Sequence, residues 1–259
     1  MKKNIYLEFG GTYDLLTRLA LIKKQGFNGI FIWQDEDEKR IAEVVKNARQ
    51  INLEIETMHL RFEGCNHLWL DDEQGQNYVK QIIRGVELAY MHQIPTVIMH
   101  TVAKLIHPPT AVIGLERIKT ILELCQKYKI NLAIENIREL SYIDYVFDNI
   151  YSPYLKMCLD FGHTNCFTYK INQVDFNKYA PYIICLHIHD NWGENDDHLL
   201  PFEGEIDFEY IAKSLKKIFY QGPLTSEAQK NLNESDELFL SKAYNALVKI
   251  ETFFTKDDA

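Results

Sequence analysis

Paired cysteines, a basic surplus, long apolar runs and a glycine-rich phosphate loop are all missing from this chain. Each absence removes a class of function. The five cysteines, at 65, 125, 158, 166 and 185, are odd in number and lack the close pairing of a structural zinc site. Several fall in strand or helix patterns, so they read as buried free thiols. A net charge of -9 and a pI near 5.5 leave no general basic face for displacing counterions from nucleic acid. No run approaches the roughly 20 apolar residues of a membrane span, and Met1 to Gly10 lacks the apolar core of a signal peptide. A cytoplasmic protein is expected, with no nucleic-acid or membrane partner. Glycine and proline are scattered, with no low-complexity tract and no linker, so residues 1–259 read as one domain.

What the chain does have is alternation. Short apolar runs rich in β-branched and aromatic residues, near 4–9, 29–33, 53–59, 95–100, 131–135, 155–160, 183–189 and 223–227, read as strands. Amphipathic stretches near 12–25, 37–51, 73–92, 112–128, 141–150, 174–179, 207–220 and 236–254 read as the helices between them. Eight such units predict an α/β fold of the (β/α)8 barrel type. A doubly wound sheet is the competitor, but its first turn would usually be glycine-rich; here it reads Phe9-Gly-Gly-Thr-Tyr-Asp14, and an aspartate is a poor neighbour for a pyrophosphate. Asp207 is placed to cap a helix, and Gly26 and Gly222 to close helices in the left-handed conformation.

The chemistry sits where the strands run out. Glu135, Asp160, His187 and Glu227 end four of the last strands, and in a parallel barrel those ends share one mouth. Three carboxylates and an imidazole in one concavity suit a divalent cation. His59 and His100 end strands three and four, His163 lies one turn beyond Asp160, and the long stretch from Asp190 to Glu205 contains Asp196 and His198. A lone strand-end histidine or carboxylate is usually structural; six of eight strands ending this way make independence untenable. His187 and His189 share a strand face, so parity alone admits either as ligand. Arg138 is placed either to meet a substrate oxyanion or to pair with an acidic neighbour. Tyr13, Trp33, Trp69 and Trp192 fall at the same mouth and could form apolar walls. His67, His92 and His107 read as solvated.

Three segments carry a resemblance: Ile134-Glu-Asn136, Leu159-Asp-Phe-Gly-His163, and His187-Ile-His-Asp-Asn191 with Asp196-Asp-His198 and Gly204-Glu-Ile-Asp207. In these the chain resembles the xylose isomerase-like barrel superfamily, which holds sugar and sugar-phosphate isomerases and epimerases together with endonuclease IV-type nucleases. The isomerase branch implies one divalent metal on Glu135, Asp160, His187 and Glu227, manganese first and zinc, cobalt or magnesium as alternatives. It also implies that Glu135 and Glu227 exchange protons with a small carbohydrate through a metal-stabilised enediolate, and that His163 touches substrate. His59, His100, His198, Arg138 and Trp33 are then expected around the sugar. The nuclease branch implies three zinc ions, with His59, His100, His163, Asp196 and His198 as extra ligands. A sugar-binding barrel without turnover is a third reading, and self-association is left open. One departure stands out: isomerase relatives usually have Pro-Gly-x-Gly where this chain has Pro201-Phe-Glu-Gly204, so Phe202 is expected to reshape the pocket or replace a phosphate-binding turn.

Overall fold

The computed structural model describes residues 1–168, 171 and 174–255. Eight parallel strands form one sheet: β1 (Lys3–Tyr6), β2 (Gly29–Trp33), β3 (Glu54–His59), β4 (Thr96–His100), β5 (Asn131–Glu135), β6 (Leu155–Asp160), β7 (Ile183–His187) and β8 (Leu224–Ser226). Each strand pairs with its sequence neighbour, and β1 also pairs with β8. A parallel bridge between Ile188 and Ser226 joins the remaining edges, with Glu227 N donating to Ile188 O at 3.0 Å. Closure removes the exposed strand edges that would otherwise invite pairing with another chain.

Between and after the strands come α1 (Leu15–Gln25), α2 (Glu38–Gln50), α3 (Glu73–Met91), α4 (Val112–Tyr128), α5 (Leu140–Asn149), the short, wholly buried α6 (Phe161–His163), α7 (Phe176–Tyr179), α8 (Phe208–Lys217) and α9 (Asp236–Thr255). Asp207 caps α8 as expected, accepting from Tyr210 N at 2.9 Å. Gly26 closes α1 at a φ of 108°. Gly222 does not play that part. Phe219 takes the left-handed position after α8 at a φ of 58°, and Gly222 is needed instead because a Cβ there would strike the Tyr220 hydroxyl and Ile184 O. Two elements have no clear periodic signal in the sequence, a 3-10 turn over Cys65–Trp69 and a π-type turn over Thr164–Thr168.

Most buried apolar side chains lie between sheet and helices. A second, small cluster consists of Ile98, Ala133, Cys158 and Cys185. Each stands two residues before a strand-end polar residue: His100, Glu135, Asp160 and His187. Alternation along a strand therefore turns those four polar groups toward the barrel axis as well. The small side chains of Ala133, Cys158 and Cys185 form a dry floor that the polar groups stand on. Cys65, Cys125, Cys158 and Cys185 are buried, Cys166 is partly so, and all five are free thiols.

Candidate metal centre and cavity

Register brings the polar strand ends level. His100 is opposite Glu135, and Asp160 is opposite His187. Glu135, Asp160, His187 and Glu227 are all buried, and one potential ligand atom from each lies within 4.8 Å of the others. Glu135 is the hub. Its Oε2 accepts from His59 and His100 Nε2 at 3.0 and 2.8 Å, and its Oε1 meets His187 Nδ1 at 2.8 Å. Glu227 Oε2 approaches the same His187 nitrogen at 3.0 Å, and Asp160 Oδ2 stands 3.9 Å from it. One imidazole N–H serves one acceptor, so Glu227 Oε2 remains without a hydrogen bond.

The electrostatics follow from this crowding. Burial alone would push Glu135 up, but the His187 charge and the bonds from His100 and His187 hold it well below the usual carboxylate range. Glu227, likewise buried, is pulled down to about 2, chiefly by the charge on His187. Burial opposes charge on His187, yet Glu227 and Glu135 raise it well above an ordinary histidine. Three carboxylates packed around one imidazolium still leave a net buried negative charge, which is costly without a further cation. The oxygen-rich donor set, the unbonded Glu227 Oε2 and the excess negative charge all fit a divalent cation in their midst.

A second polar group adjoins the first. Asp196 Oδ2 stands 3.3 Å from both His163 Nε2 and His198 Nε2. Burial disfavours charge on either histidine, but carboxylate neighbours raise His163 to about 10 and His198 to about 9. His189 was one of two parity-equivalent candidates in the sequence. It lies beyond the end of β7, fully buried, with Nε2 at 3.2 Å from Asp160 and 3.7 Å from Asp196 Oδ1. It stacks on His198 at 4.0 Å, so it links the two acidic groups while His187 takes the central place. Gly162 makes room for it, since a Cβ there would fall 1.8 Å from His189 Cε1.

The polar residues flanking these groups brace the loops. Asn136 accepts from Asp160 N at 2.8 Å and donates to Asp160 O at 2.9 Å, clamping β5 to the end of β6. Asp190 accepts from the backbone of Asn191, Phe202, Gly204 and Ile206 at 2.9–3.1 Å, pinning both ends of the long loop. Asp190→Ala should cost about 2–4 kcal/mol, because several buried donors lose a charged acceptor together. Urea unfolding measures it; a loss under about 0.5 kcal/mol would mean that the loop is held elsewhere.

A cavity of about 850 Å³ opens above the centre. Its wall includes Glu135 and Glu227, while Asp160 and His187 lie beneath. Trp33, His59, His100, Arg138, His163 and His198, the residues expected around a substrate, all line it. Trp33 stacks on His59 at 4.1 Å. The other aromatic residues expected there do not reach it. Trp69 is buried and donates to Thr101 O at 2.7 Å, Tyr13 is bonded to Glu237, and Trp192 is mostly exposed. Phe62 and Phe167, which no periodicity flagged, take the wall positions. Phe202 is also displaced from expectation. It holds a left-handed φ of 75°, a conformation that favours glycine, and turns outward against Phe208 and Phe253 with Lys249 Nζ 3.5 Å from its ring centre. Nor are two of the loop histidines solvated. His67 bonds Asp72 at 2.6 Å and lines the cavity, and His107 bonds the Tyr142 hydroxyl at 2.7 Å.

A family model described as xylose isomerase-like TIM barrel matches residues 19–242. Two curated relatives are uncharacterized proteins: y4fM of Sinorhizobium fredii, 28% identical over 137 residues, and MJ1614 of Methanocaldococcus jannaschii, 32% identical over 157 residues. These matches cover 49% and 54% of this chain and only 43% and 61% of the relatives. Solved structures match over almost the full length. A D-tagatose 3-epimerase-like protein has a TM-score of 0.77 at 20% identity, covering 99% of this chain and 100% of that one. The IOLI protein with a bound zinc atom has a TM-score of 0.82 at 15% identity, covering 98% and 99%. An L-ribulose 3-epimerase has a TM-score of 0.79 at 15% identity, covering 97% and 95%.

Proposed function

The chain belongs to the xylose isomerase-like TIM barrel family, and from that premise we propose a divalent-metal-dependent sugar isomerase or epimerase. One observation carries the reading: two glutamates on the cavity wall, Glu135 and Glu227, reach the same imidazole nitrogen within a four-donor cluster. The epimerases among the structural neighbours support the substrate class. Glu135, Asp160, His187 and Glu227 would hold the metal, which when bound supplies Lewis-acid polarisation of a substrate carbonyl.

The chain's own groups would do the rest. Glu227 is the better base, because Glu135 has both oxygens engaged by histidines while Glu227 Oε2 has no hydrogen bond. Its pKa is held down chiefly by the charge on His187; a bound divalent cation would take over that role when the imidazole is neutral, keeping Glu227 ionised and able to accept a proton. Glu227 would take the proton from the carbon beside the carbonyl, and Glu135 would return one for the product. Charged His163 and His198, both on the cavity wall, would stabilise negative charge developing on the sugar oxygens. Trp33 and Phe62 shield the site, and the stack of Trp33 on His59 keeps His59 aimed at Glu135.

The extra donor groups favour one rival. His59 with His100 and Glu135, and His189 with Asp196 and His198, are each close enough for a metal of their own. A three-metal phosphodiesterase acting on abasic DNA would use such a set. Its duplex, however, must approach a chain of net charge -9. Metal analysis of purified protein, paired with a ketose panel and an abasic duplex, separates the two. One metal per chain with sugar turnover is expected; three metals with strand cleavage would replace this reading by the nuclease.

A further inference from the structure

Seven arginines occur in the chain, and six of them donate to protein oxygens. Arg18, Arg40, Arg61 and Arg84 bond to carboxylates. Arg49 and Arg117 bond to backbone carbonyls. Arg138 is the exception. No oxygen among the described residues accepts from it, and its Nε is buried without a partner. This is the one arginine on the cavity wall. In a chain with 37 acidic residues, a half-buried guanidinium whose Nε is buried and which pairs with no acid among the described residues is an unmet electrostatic demand.

Its position is built. The guanidinium carbon lies 3.8 Å from the Phe167 ring centre, and Phe167 stacks in turn on His163 at 5.4 Å. His163 Nδ1 stands 3.7 Å from Glu135 Oε1. A continuous column thus holds Arg138 at a set position relative to the acid–base pair. Stacking occupies the face of the guanidinium and leaves its edge N–H donors for a planar or multidentate acceptor. Lys104, the cavity's other long-chain cation, also has no acidic partner among the described residues. The cavity is near the upper end of the roughly 300–1,000 Å³ found for small-molecule sites. It has room for a sugar at the glutamates and a further group at Arg138.

We propose that Arg138 binds an anionic group, carboxylate or phosphate, at the end of the sugar remote from the reacting carbons, so that the substrate is an acidic rather than a neutral sugar. The assignment of reacting carbons to the Glu135–Glu227 end rests on the function proposed above; the anion site itself does not. Outward-turned Phe202 leaves the selection of that group to the Arg138 wall.

Calorimetry on the metal-loaded protein tests this with three six-carbon ketoses that differ only at C6: D-fructose, D-fructuronate and D-fructose 6-phosphate. At least one acidic sugar should bind roughly 10–100-fold tighter than D-fructose, the size of one charge-assisted contact. Which of the two binds better tells carboxylate from phosphate. In Arg138→Gln the ratio should fall to near one, and in Arg138→Lys it should be partly kept. A ratio near one in the wild type, a ratio that survives Arg138→Gln, or no binding of any of the three overturns the proposal. Deuterium exchange is followed in the same samples. Preferential binding without exchange would reject the catalytic reading and leave the anion site standing.

Discussion

Glu227→Gln is expected to lower turnover by about 10²–10⁴-fold, the range for loss of a positioned general base. The amide keeps the size and one coordinating oxygen but cannot take a proton. Metal content at saturating concentration should fall far less, because Glu135, Asp160 and His187 remain in place. Wash-in of solvent deuterium at the substrate carbon should fall in step with turnover, since both need the same C–H cleavage. Near-wild-type turnover and exchange in this variant would make Glu227 structural and the two-glutamate mechanism wrong.

The second large effect is on stability. Metal at about 1,000 times its Kd should add about 4 kcal/mol of unfolding free energy, on the order of 8–16 °C in Tm for a domain of this size. The gain should grow with pH. In the metal-free protein His163 and His198 titrate at about 10 and 9, above their ordinary 6.5, and His187 is raised as well. Their contribution is complete below pH 6.5 and is lost as pH climbs through those folded-state values. Glu135 and Glu227 shift the other way, so their contribution is present above pH 4.5 and lost as pH falls, for Glu227 through about 2. Metal-free protein should therefore weaken from pH 6.5 upward. Ligation needs neutral His187, so metal competes best where that proton is least firmly held. A larger metal-induced rise in Tm at pH 8.5 than at pH 6 is the expected result of calorimetric melting; an equal or smaller one would place the metal away from His187.

Much of the barrel was legible because six of the eight apolar runs stop at a histidine or carboxylate that is not buried alone. Ile98-Met-His100 and Leu159-Asp160 announce both a strand and its end. Boundaries moved where loops compete with the sheet. β1 ends at Tyr6 rather than at residue 9, and β7 ends at His187, after which Asp190 pairs with Leu199 across the loop. His189 shows the consequence, since strand parity places it on the same face as His187 but only the loop's turn brings it between Asp160 and Asp196. Loop aromatics were the least readable. Trp69 goes to the core because Thr101 O satisfies its indole N–H, and Phe167 goes to the wall because His163 and Arg138 offer it faces to stack on. Such choices are made by tertiary partners, and a periodicity of 2 or 3.6 has no bearing on them. The Phe202 turn shows the same limit. Asp190 holds the backbone in the shape glycine would take, so the bulky side chain costs local strain without blocking the cavity.

The most direct test of the central claim is proton NMR of a 2-ketose incubated in D2O with the metal-loaded protein, read at the carbon beside the carbonyl. The four-donor site and its two glutamates predict metal-dependent loss of that C–H signal as deuterium enters, abolished by chelation and restored by adding metal back. A C–H signal that persists through neutral and acidic ketoses alike, in protein carrying its full metal, would contradict proton transfer at this site.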